Sequence, residues 1–192
     1  MGGVLIRDFH IAPRILFFLG HSEPTFSAVD PRIQEALSDH GKGLIDEAGF
    51  WKRYTEITGN TPPPSKGSLL GKFFTPVLDQ PTVDVLKELK RQGMRVVAGT
   101  NVIDAHFKHH QETGQYDIFD KLYASHHMGI QKPDRGFYTH ILEKEGVKPG
   151  EAFFTDDMQE NVDAAKECGL AAFLYTDAET LRSQLKSLGA MQ

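Results

Sequence analysis

The sequence of 192 residues predicts an α/β fold, in which helices cover a parallel sheet and a small all-helical unit is inserted early in the chain. Two observations predict this fold. From residue 82 onward, segments with apolar residues at helical spacing alternate with short apolar strand-like runs, which is the pattern of a parallel sheet. Residues 11–74 contain helix signals and no strand signal. The length suits either one domain or one core domain with a small inserted unit.

The early helical unit carries clear signals at the ends of its helices. Asp30 stands directly before Pro31 in DPRIQEALSDHG, which predicts a helix start because Asp caps helices and Pro is tolerated in the first turn. Gly20 and Gly59 close two further helical segments. The proline-rich loop NTPPPSKGS then interrupts the chain before a short apolar stretch, LLGKFF.

The second part of the chain alternates helices and strands in a regular order. The helical segments are TVDVLKELKRQG, NVIDAHFKHHQETG, RGFYTHILEKEG and NVDAAKECG, and the strand-like runs are MRVVAGT, FDKLYAS, EAFFTDD and AAFLYTD. In open parallel sheets, ligands bind where the strands end at the carboxyl edge. The informative residues are therefore those that follow each strand.

Composition excludes several classes of function. The net charge of -5 and a pI near 6.0 give no basic surface for nucleic acid or an anionic membrane, so neither is expected as a partner. No apolar stretch approaches the roughly 18 residues that span a bilayer. Cys168 is the only cysteine, which excludes an internal disulfide and makes a cytoplasmic location the expectation. A small-molecule partner is expected, and the oligomeric state stays open.

Polar residues follow three of the predicted strands. Thr100 and Asn101 follow RVVAG, Lys132 lies in the loop after KLYAS, and Asp156 and Asp157 end the run EAFFTDD. Adjacent carboxylates repel each other, so such a pair generally needs a cation nearby, and Mg²⁺ with oxygen ligands fits this requirement. One of the two carboxylates could instead cap the helix that follows.

These groups together suit a phosphoryl substrate. A hydroxyl, a lysine and a metal-bound carboxylate can neutralise the equatorial oxygens of a phosphoryl group. Each residue alone has an ordinary interpretation, with Lys132 as a solvated loop lysine and Asn101 as a helix cap. The hypothesis therefore depends on their combination.

The motifs at these strand ends resemble those of the haloacid dehalogenase superfamily of hydrolases, in the subgroup with an early helical cap. The second motif of that family is matched by VVAGTN, and the fourth by FFTDDMQENVDAAKECG. The third, S-x-x-x-G-x-x-K-P-D, is matched by Ser125, Gly129, Lys132, Pro133 and Asp134. The resemblance implies a Rossmann-like core of residues 1–10 and 76–192 and a cap of residues 11–75.

For the catalytic and substrate-binding set, the resemblance implies Thr100, Asn101 and Lys132. Thr100 would bind a phosphoryl oxygen, and Lys132 would neutralise the nucleophile and the phosphate. The implied reaction is Mg²⁺-dependent hydrolysis of a small phosphorylated metabolite, a phosphomonoester, through an aspartyl-phosphate. A 2-haloacid dehalogenase and a non-catalytic binding protein of the same fold are the alternatives. The acid pair argues against the dehalogenase, because displacement at carbon needs no divalent counter-ion.

For the Mg²⁺ site, the resemblance implies Asp157 as a ligand and Asp156 as a second metal carboxylate or an orienting group. Gly2, in the first motif, is the third member of this set. Without metal, Lys132 is expected to pair with Asp157. Asn161 follows in the same loop or first helical turn and could either cap the helix or touch the site.

The first motif of the family is incomplete in this sequence. Residues 2–5, GGVL, match the form D-x-G-G-V-L, so the nucleophilic Asp is expected immediately before Met1, on a strand that precedes the printed sequence. An alternative is that GVLIRDF takes the place of this strand. A second register would make Asp8 the nucleophile, with His10 in place of the second acid.

Several histidines and one aromatic group have more than one interpretation. His106 and His110 lie four residues apart on a predicted helix, which is a spacing seen in zinc sites, but a solvated helix face is the expectation. His126 and His127, in the loop before Lys132, could border the substrate pocket. Trp51 and its aromatic neighbours predict the core of the cap.

Overall fold

The computed structural model describes residues 1–191. Its first part is a helical unit of four helices, and an Asp side chain caps two of them. Asp30 accepts a hydrogen bond from the backbone N–H of Arg32 at 2.8 Å, and Asp46 accepts one from Gly49 at 2.8 Å. Gly59 ends the last helix in the left-handed conformation that suits glycine, at φ 73°. The helices are α1 (Ala12–Phe18), α2 (Phe26–Val29), α3 (Pro31–Gly41) and α4 (Glu47–Thr58).

Buried apolar residues of the helical unit form one cluster. Ile33, Phe50, Tyr54 and Leu70 are fully buried at its centre, and Ile103 is the member that comes from outside residues 11–74. No strand occurs in residues 11–74, as the sequence predicted. This segment therefore has its own hydrophobic core.

The second part alternates strands and helices, and the predicted α/β class is confirmed. Two helices, α7 and α10, add to the predicted series. The elements are α5 (Gln80–Arg91), β3 (Val97–Thr100), α6 (Asp104–Glu112), β4 (Lys121–Ala124), α7 (Ser125–Met128), α8 (Arg135–Glu145), β5 (Phe153–Asp156), α9 (Gln159–Glu167), β6 (Ala171–Leu174) and α10 (Ala178–Ser187).

The strands form three pairs. β3 pairs with β4 in parallel, with Thr100 opposite Ala124, and β5 pairs with β6 in parallel, with Asp156 opposite Leu174. The third pair is antiparallel and joins β1 (Ile6–Arg7) to β2 (Val77–Leu78). Within residues 1–191, no backbone ladder connects the β3–β4 pair to the β5–β6 pair. The carboxyl ends of the two parallel pairs therefore meet through side chains.

Residues 1–6 fold into a tight turn. The carbonyl oxygen of Met1 accepts hydrogen bonds from the backbone N–H groups of Val4, Leu5 and Ile6 at 2.9–3.2 Å. Because these groups point back to Met1, the segment does not form a strand beside β3 or β5. The alternative in which GVLIRDF takes the place of a central strand is therefore not realised.

Asp8 lies just after β1, whose partner strand is β2. Its side chain is exposed and its backbone has a positive φ of 55°. The register that makes Asp8 the nucleophile thus does not place it at the end of a parallel strand. None of the helices in residues 1–191 is both long and apolar enough to cross a bilayer.

Candidate active site

Thr100 and Asn101 stand at the carboxyl end of β3. Thr100 is buried. The side chain of Asn101 makes two hydrogen bonds with the backbone of Lys132, because its Nδ2 donates to the carbonyl at 2.9 Å and its Oδ1 accepts from the N–H at 2.9 Å. Asn101 does not cap α6, since Ile103 is the residue at that cap. It fastens the loop that carries Lys132 to the end of β3.

Lys132 is buried, with 6% of its surface exposed, so its interpretation as a solvated loop lysine is wrong. Its Nζ donates to the Gly99 carbonyl oxygen at 3.1 Å and to Oδ2 of Asp156 at 2.6 Å. The rings of Phe137 and Phe154 lie 5.9 and 5.7 Å from the ammonium. Lys132 therefore joins the end of β3 to the end of β5 in apolar surroundings.

Asp156, the last residue of β5, has partners for both carboxylate oxygens. Oδ2 accepts from Lys132, while Oδ1 accepts from the backbone N–H of Met158 at 3.0 Å and from Nδ2 of Asn161 at 2.7 Å. Burial alone would raise the pKa of Asp156. The charge of Lys132 and these hydrogen bonds outweigh burial and hold the pKa below its usual value. Asp156 is therefore ionised and fully engaged.

The expectation that Lys132 pairs with Asp157 is wrong, because Asp156 is the partner of Lys132. Successive side chains of a strand point to opposite sides, so only one of two adjacent acids can face the interior. Asp156 takes the buried side, and Asp157 is exposed. Within residues 1–191, no hydrogen bond or ion pair engages the Asp157 carboxylate.

Asn161 belongs to the site rather than to a helix cap. Its amide donates to Asp156, and its backbone carbonyl accepts a hydrogen bond from the buried hydroxyl of Tyr138 at 2.8 Å. Its side-chain Oδ1 is buried and has no partner among the described residues. The sequence left the role of Asn161 open and gave no signal for Tyr138, which lies 23 residues before it.

Gly3 brings the turn of residues 1–6 against Asp157. A Cβ atom added to Gly3 would collide with the Asp157 carboxylate, and the φ of Gly3 is 76°, which favours glycine. Gly2 lies against the ring of Phe9 instead, since a Cβ there would come within 2.8 Å of it. Of the glycine pair in GGVL, Gly3 is therefore the one that contacts a candidate metal ligand.

The amino group of Met1 faces the same charged residues. Burial, followed by the positive charge of Lys132, lowers the pKa of this amino group to about 5, although Asp156 and Asp157 act in the opposite direction. The backbone at Met1 thus lies close enough to Lys132 and the two acids to interact with their charges.

Side chains that could bind a metal do not gather in groups of three within residues 1–191, either at the strand ends or elsewhere. No three side chains of His, Cys, Asp or Glu come together there as a possible metal site. His106 stacks on Phe74 with ring centres 3.7 Å apart, and its Nε2 lies 3.1 Å from the Leu70 carbonyl oxygen. His106 is half-buried, whereas His110 is buried and its Nδ1 lies 2.6 Å from Oε1 of Gln115. The predicted solvated face is therefore wrong, because this face of α6 packs on the helical unit.

Relatives of known activity match parts of this chain. A sesquiterpene phosphatase of Aspergillus oryzae is 35% identical over 111 residues, which are 57% of this chain and 57% of the relative. A D-ribitol-5-phosphate phosphatase of Bacteroides thetaiotaomicron is 32% identical over 69 residues, which are 36% of this chain and 34% of the relative. The chain thus spans about half, or less, of the length of these relatives.

Solved structures match nearly the whole chain. A HAD family enzyme from B. thetaiotaomicron, in complex with magnesium and inorganic phosphate, is 26% identical with a TM-score of 0.67 over 92% of this chain and 90% of its own. A HAD-like hydrolase from Porphyromonas gingivalis shares the fold at 18% identity, with a TM-score of 0.75 over 98% and 93% of the two chains. The model of the haloacid dehalogenase-like hydrolase family matches residues 10–169. The chain therefore belongs to the family of haloacid dehalogenase-like hydrolases.

Proposed function

We propose that this chain carries the phosphate-handling residues of a Mg²⁺-dependent phosphatase that acts on a small phosphomonoester. One observation carries the proposal, namely that the buried ammonium of Lys132 joins the ends of β3 and β5 beside Thr100. The two phosphatase relatives, and the structural relative that holds magnesium and phosphate, support the same chemistry.

Each residue has a defined task in this proposal. Lys132 stabilises negative charge on the phosphoryl oxygens, and the Thr100 hydroxyl donates a hydrogen bond to one of them. Asn101 fixes the backbone of Lys132, and Asp156 fixes its ammonium. Asn161 in turn orients Asp156. Tyr138 holds Asn161 in place.

The charge balance of the site fits a divalent cation. Lys132 and Asp156 neutralise each other, and Asp157 leaves one negative charge. A dianionic phosphoryl group would meet net repulsion there unless a cation is present. Mg²⁺ is commonly held by one or two carboxylates together with waters and substrate phosphate. When bound, it neutralises charge on the phosphate.

Asp157 is the residue proposed to hold this cation. Its carboxylate is exposed and not engaged within residues 1–191, whereas both oxygens of Asp156 already accept hydrogen bonds. Asp156 therefore acts as the orienting group of the two. Gly2 stays a proposed member of the metal set, through its backbone.

The nucleophile is proposed to be an Asp joined directly to Met1. Gly3 packs against the Asp157 carboxylate, so a residue joined to Met1 would lie near this end of the sheet. The carboxylate would attack phosphorus while the bond from phosphorus to the alkoxide breaks, and the alkoxide would take up a proton. Water would then hydrolyse the aspartyl-phosphate, releasing phosphate and restoring the carboxylate.

Residues 11–75 are proposed to form the cap that selects the substrate, since this segment has its own hydrophobic core. The names of the two relatives indicate the substrate classes to try first, a sesquiterpenyl phosphate and a sugar-alcohol phosphate. A cytoplasmic location is proposed as well, on the single cysteine.

The test uses a protein in which an apolar strand ending in Asp is joined to Met1. We expect phosphate release from phosphomonoesters that requires Mg²⁺, and its loss when that Asp is replaced by Asn. Asp157→Asn should raise the Mg²⁺ concentration needed for half-maximal activity by tenfold or more, because it removes the charged ligand. Asp163→Asn, an exposed acid on α9, is the matched control and should change neither quantity.

Unchanged Mg²⁺ dependence in Asp157→Asn would contradict the proposed metal ligand. Release of chloride from 2-chloropropionate, without phosphatase activity, would favour the dehalogenase instead.

A further inference from the structure

A cavity of about 810 Å³ lies between the helical unit and α6, under the proline-rich loop. We call it the loop cavity. Its walls come from the start of α4, from residues 62–69 and from the start of α6, with His40 and His126 at one side. None of the candidate active-site residues lines it. The loop cavity is therefore separate from the strand-end site.

His40 lines this cavity, and one of its ring nitrogens is buried without a partner among the described residues. His40 is 5% exposed, and its Nδ1 lies 3.0 Å from the carbonyl oxygen of Ile45. A carbonyl can only accept, so Nδ1 carries a proton, and in the neutral form of the ring Nε2 has a lone pair. Nε2 is buried and has no partner among residues 1–191. A buried acceptor of this kind is costly to leave unpaired, so it calls for a donor.

His126 adds two more polar atoms without partners. Both ring nitrogens are buried and make no hydrogen bond of normal geometry in the described part of the chain, although the Val102 backbone lies nearby. Burial lowers the pKa of His126, so its ring is neutral near pH 7. Gly43, at φ 71°, packs its backbone directly on the His126 carbonyl. This contact holds His126 beside α3.

The charged side chains of the walls are largely engaged. Oε1 of Glu47 accepts from the ring N–H of Trp51 at 3.0 Å and from the backbone N–H of Leu69 at 2.7 Å. Lys108 pairs with Asp104 at 2.7 Å. The cavity therefore offers apolar surface and two imidazole rings, and its lysine is already paired with a carboxylate.

We propose that the loop cavity binds an uncharged small molecule with an apolar body and a hydroxyl group, which donates a hydrogen bond to Nε2 of His40. The apolar body would pack against Trp51 and Leu69, which line the cavity. A hydroxyl can also accept, so it can serve a ring N–H of His126 at the same time. This binding does not depend on the phosphatase activity.

Trp51 makes the proposal directly measurable, because it is the only tryptophan of the chain. Cyclohexanol is the probe, and cyclohexanone, which has a similar shape but no donor, is its matched control. We expect a saturable change in Trp51 fluorescence with cyclohexanol and about tenfold weaker binding of cyclohexanone, which corresponds to one hydrogen bond. His40→Phe should abolish this difference.

A second measurement covers the case in which His40→Phe does not fold. In ¹⁵N spectra of the unaltered protein, cyclohexanol should shift the Nε2 resonance of His40 and leave the exposed His127 unchanged. The proposal is overturned if Trp51 fluorescence shows no saturable change. Equal affinities for the alcohol and the ketone, or equal shifts of both histidines, would overturn it as well.

Discussion

The buried ion pair of the strand-end site and the histidines of the loop cavity differ in whether their polar atoms have protein partners. At the strand ends, Lys132 and both oxygens of Asp156 have protein partners at 2.6–3.1 Å. In the loop cavity, Nε2 of His40 and both ring nitrogens of His126 have none within residues 1–191. These polar atoms are buried in both regions, so the difference lies in which groups surround them.

This difference separates residues that the fold needs from residues that await a ligand. Buried polar groups that satisfy each other stabilise the fold whether or not substrate is present. Buried groups without partners are rare in folded proteins, and each calls for an explanation such as a ligand or a water. Changes at the strand ends should therefore alter stability, whereas changes in the loop cavity should mainly alter binding.

The largest expected effect is on stability, and it tests the buried pair of Lys132 and Asp156, whose polar atoms have partners. Asp156→Ala leaves the Lys132 ammonium buried without its counter-charge, and we expect the free energy of unfolding to fall by about 3–5 kcal/mol. The neighbouring Asp157→Ala removes an exposed carboxylate and should change it by less than about 0.5 kcal/mol. Urea unfolding of both variants measures the difference.

The same pair of variants should respond differently to acid. The pKa of Asp156 is lowered in the folded state, so its stabilising effect is complete above the ordinary Asp pKa of 3.8. The effect disappears as the pH falls below that value. The gap between wild type and Asp156→Ala should therefore narrow only below about pH 4. Equal unfolding free energies of Asp156→Ala and Asp157→Ala at pH 7 would contradict the role of the Lys132–Asp156 pair in stability.

His106 is expected to give an effect of intermediate size, because it is a half-buried histidine that contacts the Leu70 carbonyl oxygen. Burial lowers its pKa from 6.5 to about 4, so the unfolded chain takes up the proton at higher pH than the folded chain. The stabilisation is complete above pH 6.5 and declines toward pH 4. We expect protonation of His106 to lower the unfolding free energy by roughly 2–3 kcal/mol between pH 6.5 and pH 4.

Unfolding of His106→Phe at several pH values measures this contribution. The variant should lose most of the decline between pH 6.5 and 4, because it has no ring to protonate. His127→Phe, which replaces an exposed histidine, should keep the decline. If the unfolding free energy of His106→Phe declines with falling pH as steeply as that of the wild type, groups other than His106 cause the decline.

The smallest effect concerns the contact between Gly3 and Asp157. Gly3 and Gly67 have nearly the same φ, 76° and 78°, but a Cβ at Gly67 would meet nothing within 4 Å. We expect Gly67→Ala to cost about 1–2 kcal/mol through backbone conformation alone. Gly3→Ala should cost more, and the excess should vanish when Asp157 is also replaced by Ala. An excess that persists in the double variant would place the clash elsewhere.

The sequence was informative where the signals were local. Asp30 with Pro31, and Gly59, mark ends of α3 and α4 in the structure, because capping depends on neighbouring residues alone. The strand-end rule likewise identified Thr100 and Lys132, since parallel strands end at a common edge. β1 and β2 were missed, as two-residue strands carry no periodic pattern.

Choices that depend on distant parts of the chain could not be predicted. The sequence does not show which of Asp156 and Asp157 faces inward until the end of β5 is known, and the expected partner of Lys132 was wrong for that reason. His106 was expected on a solvated face, but Phe74, 32 residues earlier, stacks on it. Stacking of this kind depends on how the helical unit packs against α6.

Lys132 also has a consequence for how the protein opens. The β3–β4 and β5–β6 pairs share no backbone hydrogen bonds within residues 1–191, yet Lys132 binds Gly99 in one and Asp156 in the other. Regions without shared backbone bonds can exchange their amide protons as separate cooperative units. Lys132 is thus a side-chain link between the two strand pairs. The side chain that is proposed to bind the phosphate therefore also couples the motions of the two halves of the core.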